Sequence, residues 1–360
     1  MPNESRRNFL YTALGATAAA ALSAYGAKKP LEPWAPGIKI SLQIPTEFKD
    51  DDLTFAKQLG VGYVSVGTKG GDYQVFSGFK KRIEGAGLKV ANIGNQNVHN
   101  MPEVTLNLTG RDQKIEEYKQ YLRNLGKAGI GYTTYAHMGN GIWSSDKETT
   151  RGGAPARAFR QETAKGHWSD KVFEGPLTHG RKYSKEEIVD NYTYFIKQVV
   201  PVAEEVGVRI GIHPDDPPVP ELGGVPRWLF GSFDGYMKAL EIANSPNVGV
   251  CLCCGTWMEG GKNMGKDVFE AARAFAKMGK LWKIHFRNVT APVPYFVETY
   301  VDDGYTDMKK LMRTLVDVDY RGILIADHVP TMVGDSKTGW AYSIGYIKAL
   351  YDMARDERRG

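Results

Sequence analysis

From residue 38 onward, short apolar and β-branched runs alternate with longer stretches in which apolar residues recur every three or four positions. The first kind of run reads as a strand buried on both faces and the second as an amphipathic helix. Their alternation predicts parallel strands joined by helical crossovers. Eight runs of the strand type can be counted: Ile38 to Ile44, Gly62 to Val66, Lys89 to Ile93, Tyr132 to Met138, Val208 to His213, Val248 to Cys253, Trp282 to Arg287 and Gly322 to His328. Eight such units predict an α/β fold of one domain, a closed (β/α)8 barrel of TIM type over residues 38–360. Between strands, Ile115, Tyr118, Leu122 and Leu125 fall on one helical face that packs on the barrel. Ser184 and Glu187 have the spacing of a capping box ahead of a long helix that Gly207 ends. Residues 139–182 follow neither period and are too long for a plain connection, so they read as a loop insertion after strand 4 and a lid.

The first residues stand apart from this pattern. Ser5-Arg6-Arg7-Asn8-Phe9-Leu10 is followed by an Ala-rich apolar stretch to Ala24, too short for a convincing membrane span, and then by Gly26. This reads as a twin-arginine export signal over residues 1–27, giving a periplasmic or exported protein without stable membrane insertion after cleavage. Pro30, Pro33 and Pro36 then suggest a stiff linker over 28–37.

Composition narrows the function further. A net charge of +5 from 46 basic and 41 acidic residues, with no long run of one sign, argues against nucleic acid as a partner. All three cysteines lie between Cys251 and Cys254, so no disulfide framework is available and metal ligation or burial is their expected fate. The assembly state is open, and a homo-oligomer is compatible with the sequence.

In a (β/α)8 barrel the carboxyl ends of the strands converge on one face, where the following loops build the active site. Here the fifth strand ends in His213, the sixth in Cys253, the seventh in His285 and the eighth in Asp327. Any one of these alone would be ordinary packing. Ligand types at four successive strand ends instead predict a mixed site for a divalent transition metal, with Mn2+, Fe2+, Co2+ and Zn2+ all chemically admissible. Cys251 shares a face with Cys253 but lies one layer deeper, so Cys253 is the chosen ligand and Cys251 a small buried hydrophobe.

Around that centre, Asp215 and Asp216 sit in a Pro-stiffened loop where they can orient a ligand histidine or bind substrate hydroxyls. Arg287, two residues after His285, is a candidate fork for a substrate carboxylate, with a structural ion pair as the other reading. His328 and Tyr342 are candidate proton carriers. The arginines of the insertion, Arg151, Arg157 and Arg160, favour an acidic substrate over a neutral sugar.

The run His213-Pro-Asp-Asp-Pro-Pro218, the Cys253-Cys-Gly-Thr256 turn, His285-Phe-Arg-Asn288, Phe296-Val-Glu298 and Asp327-His328 together resemble mannonate dehydratases. Gly110-Arg-Asp112, Lys114-Ile115, Tyr118-Lys119 and Leu122-Arg-Asn-Leu125 extend the likeness upstream. The resemblance implies a hydro-lyase that converts D-mannonate to 2-keto-3-deoxy-D-gluconate in hexuronate breakdown, with Mn2+ as the usual metal. It places the ligands on His213, Cys253, His285 and Asp327 and the proton-transfer pair on His328 and Tyr342. The chain departs from the family in its export signal, in Val301 where a further His is usual, and in residues 139–182. Two alternatives stay open: a sugar isomerase or epimerase on the same barrel, and a periplasmic sugar-acid-binding protein without turnover. A metal-dependent nuclease is disfavoured by the thiolate and by the lack of a basic stripe.

Overall fold

The computed structural model describes residues 28–360; the export signal assigned to 1–27 lies outside the described residues. Each of the eight strand-type runs contains a strand: β1 (Lys39–Ile44), β2 (Tyr63–Thr68), β3 (Lys89–Asn95), β4 (Tyr132–Tyr135), β5 (Arg209–Ile212), β6 (Val248–Cys253), β7 (Leu281–Phe286) and β8 (Ile323–Ala326). They form one parallel sheet in the order β3-β2-β1-β8-β7-β6-β5-β4. The sheet curls until β3 and β4 lie side by side. Side chains tie that seam: the Tyr121 hydroxyl donates to the Ile93 carbonyl at 2.5 Å, and the Thr133 hydroxyl donates to the same oxygen at 3.2 Å.

The alternation of each strand sorts its residues into two layers. Leu42, Val64, Val66, Ile210, Ile212, Leu252, Ile284, Phe286 and Leu324 face outward into a continuous core with Leu53, Ile83, Ile115, Leu122, Val199 and Leu311 from the surrounding helices. Each such side chain contributes about 1.5–3 kcal/mol by leaving water. The helix Lys185–Val206 begins on the expected capping box, with Ser184 accepting from Glu187 N–H, and ends on left-handed Gly207. The inner layer is smaller and more polar, with Ser41, Ser65, Thr134, Cys251 and Lys283 all buried. Gly211 belongs to it because a Cβ there would overlap the Tyr132 ring that crosses the barrel.

Residues 28–37 are not a free spacer. Trp34 packs with Tyr63 against Ala91, Tyr132, Ile323 and Ile325 at the amino-terminal mouth. The Glu32 carbonyl accepts from Arg209 at 2.6 Å, and Lys39 donates to the carbonyls of Gly37 and Ala35. The segment docks because it covers apolar surface and satisfies two cations buried at the base.

The insertion is also more regular than its sequence suggests. Ile142–Ser144, Lys165–Trp168 and Lys171–Phe173 form an antiparallel sheet, and Ala158–Arg160 pairs with Tyr295–Thr299. Strands of three to five residues are too short to show a period. Among the described residues no helix is long and apolar enough to cross a membrane.

Candidate metal centre and active site

The parallel register brings the strand ends level. Cys253 is paired with His285, and His285 with Ile325, two residues before Asp327. His213 follows the last residue of β5. Ligand atoms of His213, Cys253 and His285 all lie within 4.8 Å of one another, and all three residues are buried. Asp327 Oδ2 completes the group at 3.5 Å from His285 Nδ1 and 3.8 Å from Cys253 Sγ.

The hydrogen bonds around these donors fit a metal. His213 Nδ1 donates to the Pro214 carbonyl at 2.7 Å, which fixes the tautomer and leaves Nε2 with a lone pair. Burial, with His285 alongside, holds the His213 imidazole well below its usual value and so neutral. His285 Nε2 meets Cys251 Sγ at 3.4 Å, while its buried Nδ1 has no hydrogen-bond partner among the described residues. Cys251 is therefore not a mere hydrophobe: it holds the far nitrogen of a ligand ring. Cys253 caps the short helix Cys254–Gly260, its sulfur accepting from Thr256 N–H at 3.5 Å and from the Thr256 hydroxyl at 3.2 Å. Burial pushes the Cys253 thiol up, and for His285 burial is outweighed by Cys251 and Asp327, which hold the ring well above its usual value. A divalent cation would take the place of those protons, and two imidazoles, one thiolate and one carboxylate suit it.

A cavity of about 310 Å3 opens beside this group, at the small end for ligand sites. His213, His285, Asp327, His328 and Asp216 line it, together with Lys283, Asn92, His99 and, from the insertion, Ile142 and Trp168. Two residues of the 139–182 insertion thus form part of the cavity wall. Trp168 stacks on His99 with ring centres 5.2 Å apart. Burial pushes His99 down to about 4, so its neutral ring donates from Nδ1 to the Thr134 carbonyl at 3.2 Å and keeps Nε2 as an acceptor.

Behind the cavity lies a buried ionic network. Arg287, 1% exposed, donates to Glu298 at 2.8 Å, Glu259 at 2.8 Å and the Thr256 hydroxyl at 2.9 Å. Arg157 reaches in from the insertion to Asp216 at 2.6 Å and Glu298 at 2.9 Å. Burial works to raise the Glu298 carboxyl, but His328, Arg287 and Arg157 hold it below the usual range. His328 Nδ1 lies 2.8 Å from Glu298 and also against the Arg287 guanidinium, so Nε2 is the nitrogen left to exchange protons. Burial lowers the His328 value, yet Asp327 and Glu298 outweigh it and the ring titrates above its ordinary value. His328 also holds a φ of 46°, a left-handed conformation rare for a side chain of its size, and such strain concentrates at working sites.

Several sequence-level assignments are placed differently. Arg287 does not face the cavity, because its guanidinium is spent on Glu259, Glu298 and Thr256. The insertion arginines are likewise paired, Arg151 with Asp302 at 2.8 Å and Arg160 with Glu148 at 2.7 Å. None of them is free to argue for an acidic substrate. Asp216 lines the cavity but is committed to Arg157. Asp215 is outside the cavity wall, where burial pushes its carboxyl up to about 7 against the pull of Arg227. Tyr342 accepts from Arg151 at 3.3 Å and packs edge-on against Tyr300, away from the cavity wall. Lys283, His99, Asn92 and Glu259 are the features of the site that sequence reading missed.

The fold and the site together define a (β/α)8 barrel with a candidate metal centre at the carboxyl ends of its strands. The sequence matches the family D-mannonate dehydratase (UxuA) over residues 71–173 and 166–358. Mannonate dehydratase of Streptococcus suis is 33% identical over 293 residues, covering 75% of this chain and 77% of that protein. The chain belongs to the mannonate dehydratase family. The crystal structure of the mannonate dehydratase from Streptococcus suis serotype 2 superposes with a TM-score of 0.79 at 26% identity, over 90% of this chain and 95% of that one. An L-ribulose 3-epimerase, 12% identical with a TM-score of 0.58 over 90% of this chain and 97% of its own, shares the barrel alone.

Proposed function

We propose that the chain dehydrates D-mannonate to 2-keto-3-deoxy-D-gluconate and water, using Mn2+ held by His213, Cys253, His285 and Asp327. One observation carries the reading: in a chain of this family, His213, His285, Asp327 and His328 line one cavity, with Cys253 grouped beside the first three. When bound, a divalent metal supplies Lewis acidity that polarises the carboxylate end of a sugar acid and makes the proton at C2 easier to remove. The protein then has to take that proton and deliver one to the hydroxyl leaving C3; the enol so formed becomes the 2-keto acid.

His328 is suited to one of these transfers, since Glu298 fixes its Nδ1 and the ring lines the cavity. We retain Tyr342, implied by the family, as the other carrier on a condition set by its surroundings: the hydroxyl must first leave Arg151. Asp216 orients the lid through Arg157 rather than binding substrate directly.

We also propose that residues 1–27 direct export by the twin-arginine route, supported by the Arg6-Arg7 pair and the uncharged run after it. A reporter fused to residues 1–37 should leave the cytoplasm only when that pathway is intact. For the activity, residues 28–360 loaded in turn with Mn2+, Fe2+, Co2+ or Zn2+ are incubated with D-mannonate and other aldonates, and the 2-keto-3-deoxy acid is followed. Product from mannonate, fastest with Mn2+, is expected. Product from another aldonate alone would move the specificity, and no product from metal-loaded protein would refute the dehydratase reading.

A further inference from the structure

Five cations are buried among the described residues: Lys39, Arg209, Arg227, Lys283 and Arg287. Four are satisfied by the protein itself. Lys39 donates to the Gly37 carbonyl, Arg209 to the Glu32 carbonyl, Arg227 to the Asp216 carbonyl and to Asn140, and Arg287 to Glu298 and Glu259. Lys283, 3% exposed, is the exception, with no hydrogen-bond or ion-pair partner among the described residues. An ammonium removed from water without a partner is costly, so its place in the fold calls for an anion.

The cavity supplies the room for one. Lys283 lies two residues before His285 on β7, hence on the same inward face and about 6.6 Å along the strand. Both side chains line the cavity. On the opposite wall, β3 contributes Asn92, 5% exposed, whose buried Oδ1 has no donor among the described residues. A cation without an anion and an acceptor without a donor thus face one small polar cavity. That pair matches a polyhydroxy acid: a carboxylate for the ammonium and a hydroxyl for the amide oxygen.

We infer that Lys283 is the specificity-determining residue that receives the substrate's carboxylate, and that Asn92 accepts a hydroxyl from the same molecule. The inference rests on the reading of the cavity as a sugar-acid site. It assigns to one lysine the preference for an acid that the insertion arginines and Arg287 do not provide. A competing role exists in the same place: burial lowers the Lys283 value, and Cys251, Asp327 and Cys253 act against it, so the ammonium could serve to offset their charge. A bound divalent cation would offset Cys253 and Asp327, and the Cys251 sulfur is engaged by His285 Nε2 at 3.4 Å, which leaves the ammonium for the ligand.

The test compares wild-type Mn2+-loaded protein with Lys283→Met, which keeps the length of the side chain without its charge, and with Lys283→Arg. Metal content is measured first, and then calorimetric affinities for D-mannonate and for D-mannitol, its counterpart with a hydroxymethyl in place of the carboxylate. In Lys283→Met the affinity for mannonate should fall about 10- to 100-fold. Mannitol binding and metal content should hold, and Lys283→Arg should recover part of the loss. Removing an unpaired buried charge should also raise the thermal midpoint of the ligand-free protein, which a folding defect would not do. Wild-type affinity for mannonate in Lys283→Met, an equal loss for mannonate and mannitol, or loss of the metal would each overturn the inference. Wild-type protein that binds neither compound would overturn the sugar-acid reading and this inference with it, whereas wild-type turnover beside an unaffected variant would overturn the inference alone.

Discussion

Replacing Arg287 with Met tests whether the network behind the cavity is a structural keystone or a set of interchangeable charges. In the native protein, Arg157 and Arg287 bridge the buried carboxyl groups of Asp216, Glu259 and Glu298, and His328 lies against Glu298. Without Arg287, Arg157 is the one guanidinium left among these three carboxyl groups, and Glu259 loses its 2.8 Å donor. Three strong hydrogen bonds to a charged group, at about 1.5–3 kcal/mol each, would suggest a loss of about 5–9 kcal/mol. That sum overstates the effect, because bonds sharing one network are not additive and the network can relax. Burial and the neighbouring Asp216 already push the Glu259 carboxyl well above the usual range, so it takes up a proton when its guanidinium goes. The one-sided break of a buried pair, about 3–5 kcal/mol, is therefore the governing magnitude.

Urea unfolding of metal-stripped protein, followed by tryptophan fluorescence, measures this loss without metal linkage. The midpoint should fall at unchanged slope by an amount equal to about 3–5 kcal/mol. Arg287→Lys should restore only about half, since one ammonium cannot span Glu298 on one side and Glu259 with Thr256 on the other. A loss below about 1 kcal/mol in the Met variant, or full restoration by lysine, would refute the reasoning.

Four further outcomes are expected. Cys253→Ser should lose most of the bound metal while Cys251→Ser keeps it; equal metal in both would reverse the ligand choice. Tyr342→Phe should lower kcat about 100- to 10,000-fold if its hydroxyl carries a proton, and unchanged turnover would remove it from the chemistry. Trp34→Ala should cost about 2 kcal/mol, less than for a fully buried tryptophan because Trp34 is half-buried, with metal content unaffected; wild-type stability would show that the strap does not plug the barrel. Burial pushes His137 down to about 3 from 6.5, with Tyr135 donating to its Nδ1 at 2.7 Å. Because the folded value is the lower one, the unfolded chain binds the proton first as pH falls below 6.5, and stability is lost from there down toward pH 3. At pH 4.5 this amounts to about 2.7 kcal/mol, so His137→Gln should flatten the acid limb of a stability profile, and an unchanged limb would exclude the group.

The barrel was legible because strands buried on both faces write themselves as apolar runs, and because short stretches such as Ile212-His213 and Ala326-Asp327 carry polar ligands immediately after them. Strand-end convergence then made His213, Cys253, His285 and Asp327 one group without further information. What failed was parity beyond a strand's end. Arg287 is two residues from His285 and so on its face only while the strand continues, but β7 stops at Phe286 and the chain turns into the network. The packing of the strap was not legible for a different reason: three prolines describe backbone stiffness, whereas its docking depends on Trp34 and on carbonyls facing Arg209 and Lys39. In the insertion, Arg157 is indistinguishable by sequence from Arg151 and Arg160; only the pairing of Ala158–Arg160 with Tyr295–Thr299 carries it inward.

Lys283 was missed because a lysine in a strand ordinarily signals a solvent face, and only closure of the sheet turns that face into a cavity. Its chemistry also explains why the arginines are elsewhere. A guanidinium offers five donors in a fixed fork, and inside a protein the groups that satisfy such a fork are the chain's own carboxylates, as Arg287 does with Glu259 and Glu298. An ammonium on a flexible stem can be left with a vacancy. With a divalent cation balancing the Cys253 thiolate and Asp327, and the rear carboxyl groups met by Arg157 and Arg287, Lys283 is left among the described residues as a cation at the cavity without a counterpart. A monoanionic sugar acid closes that account and a neutral sugar does not, so selection for acids over sugars on this barrel follows from a single unpaired charge rather than from the shape of a fork.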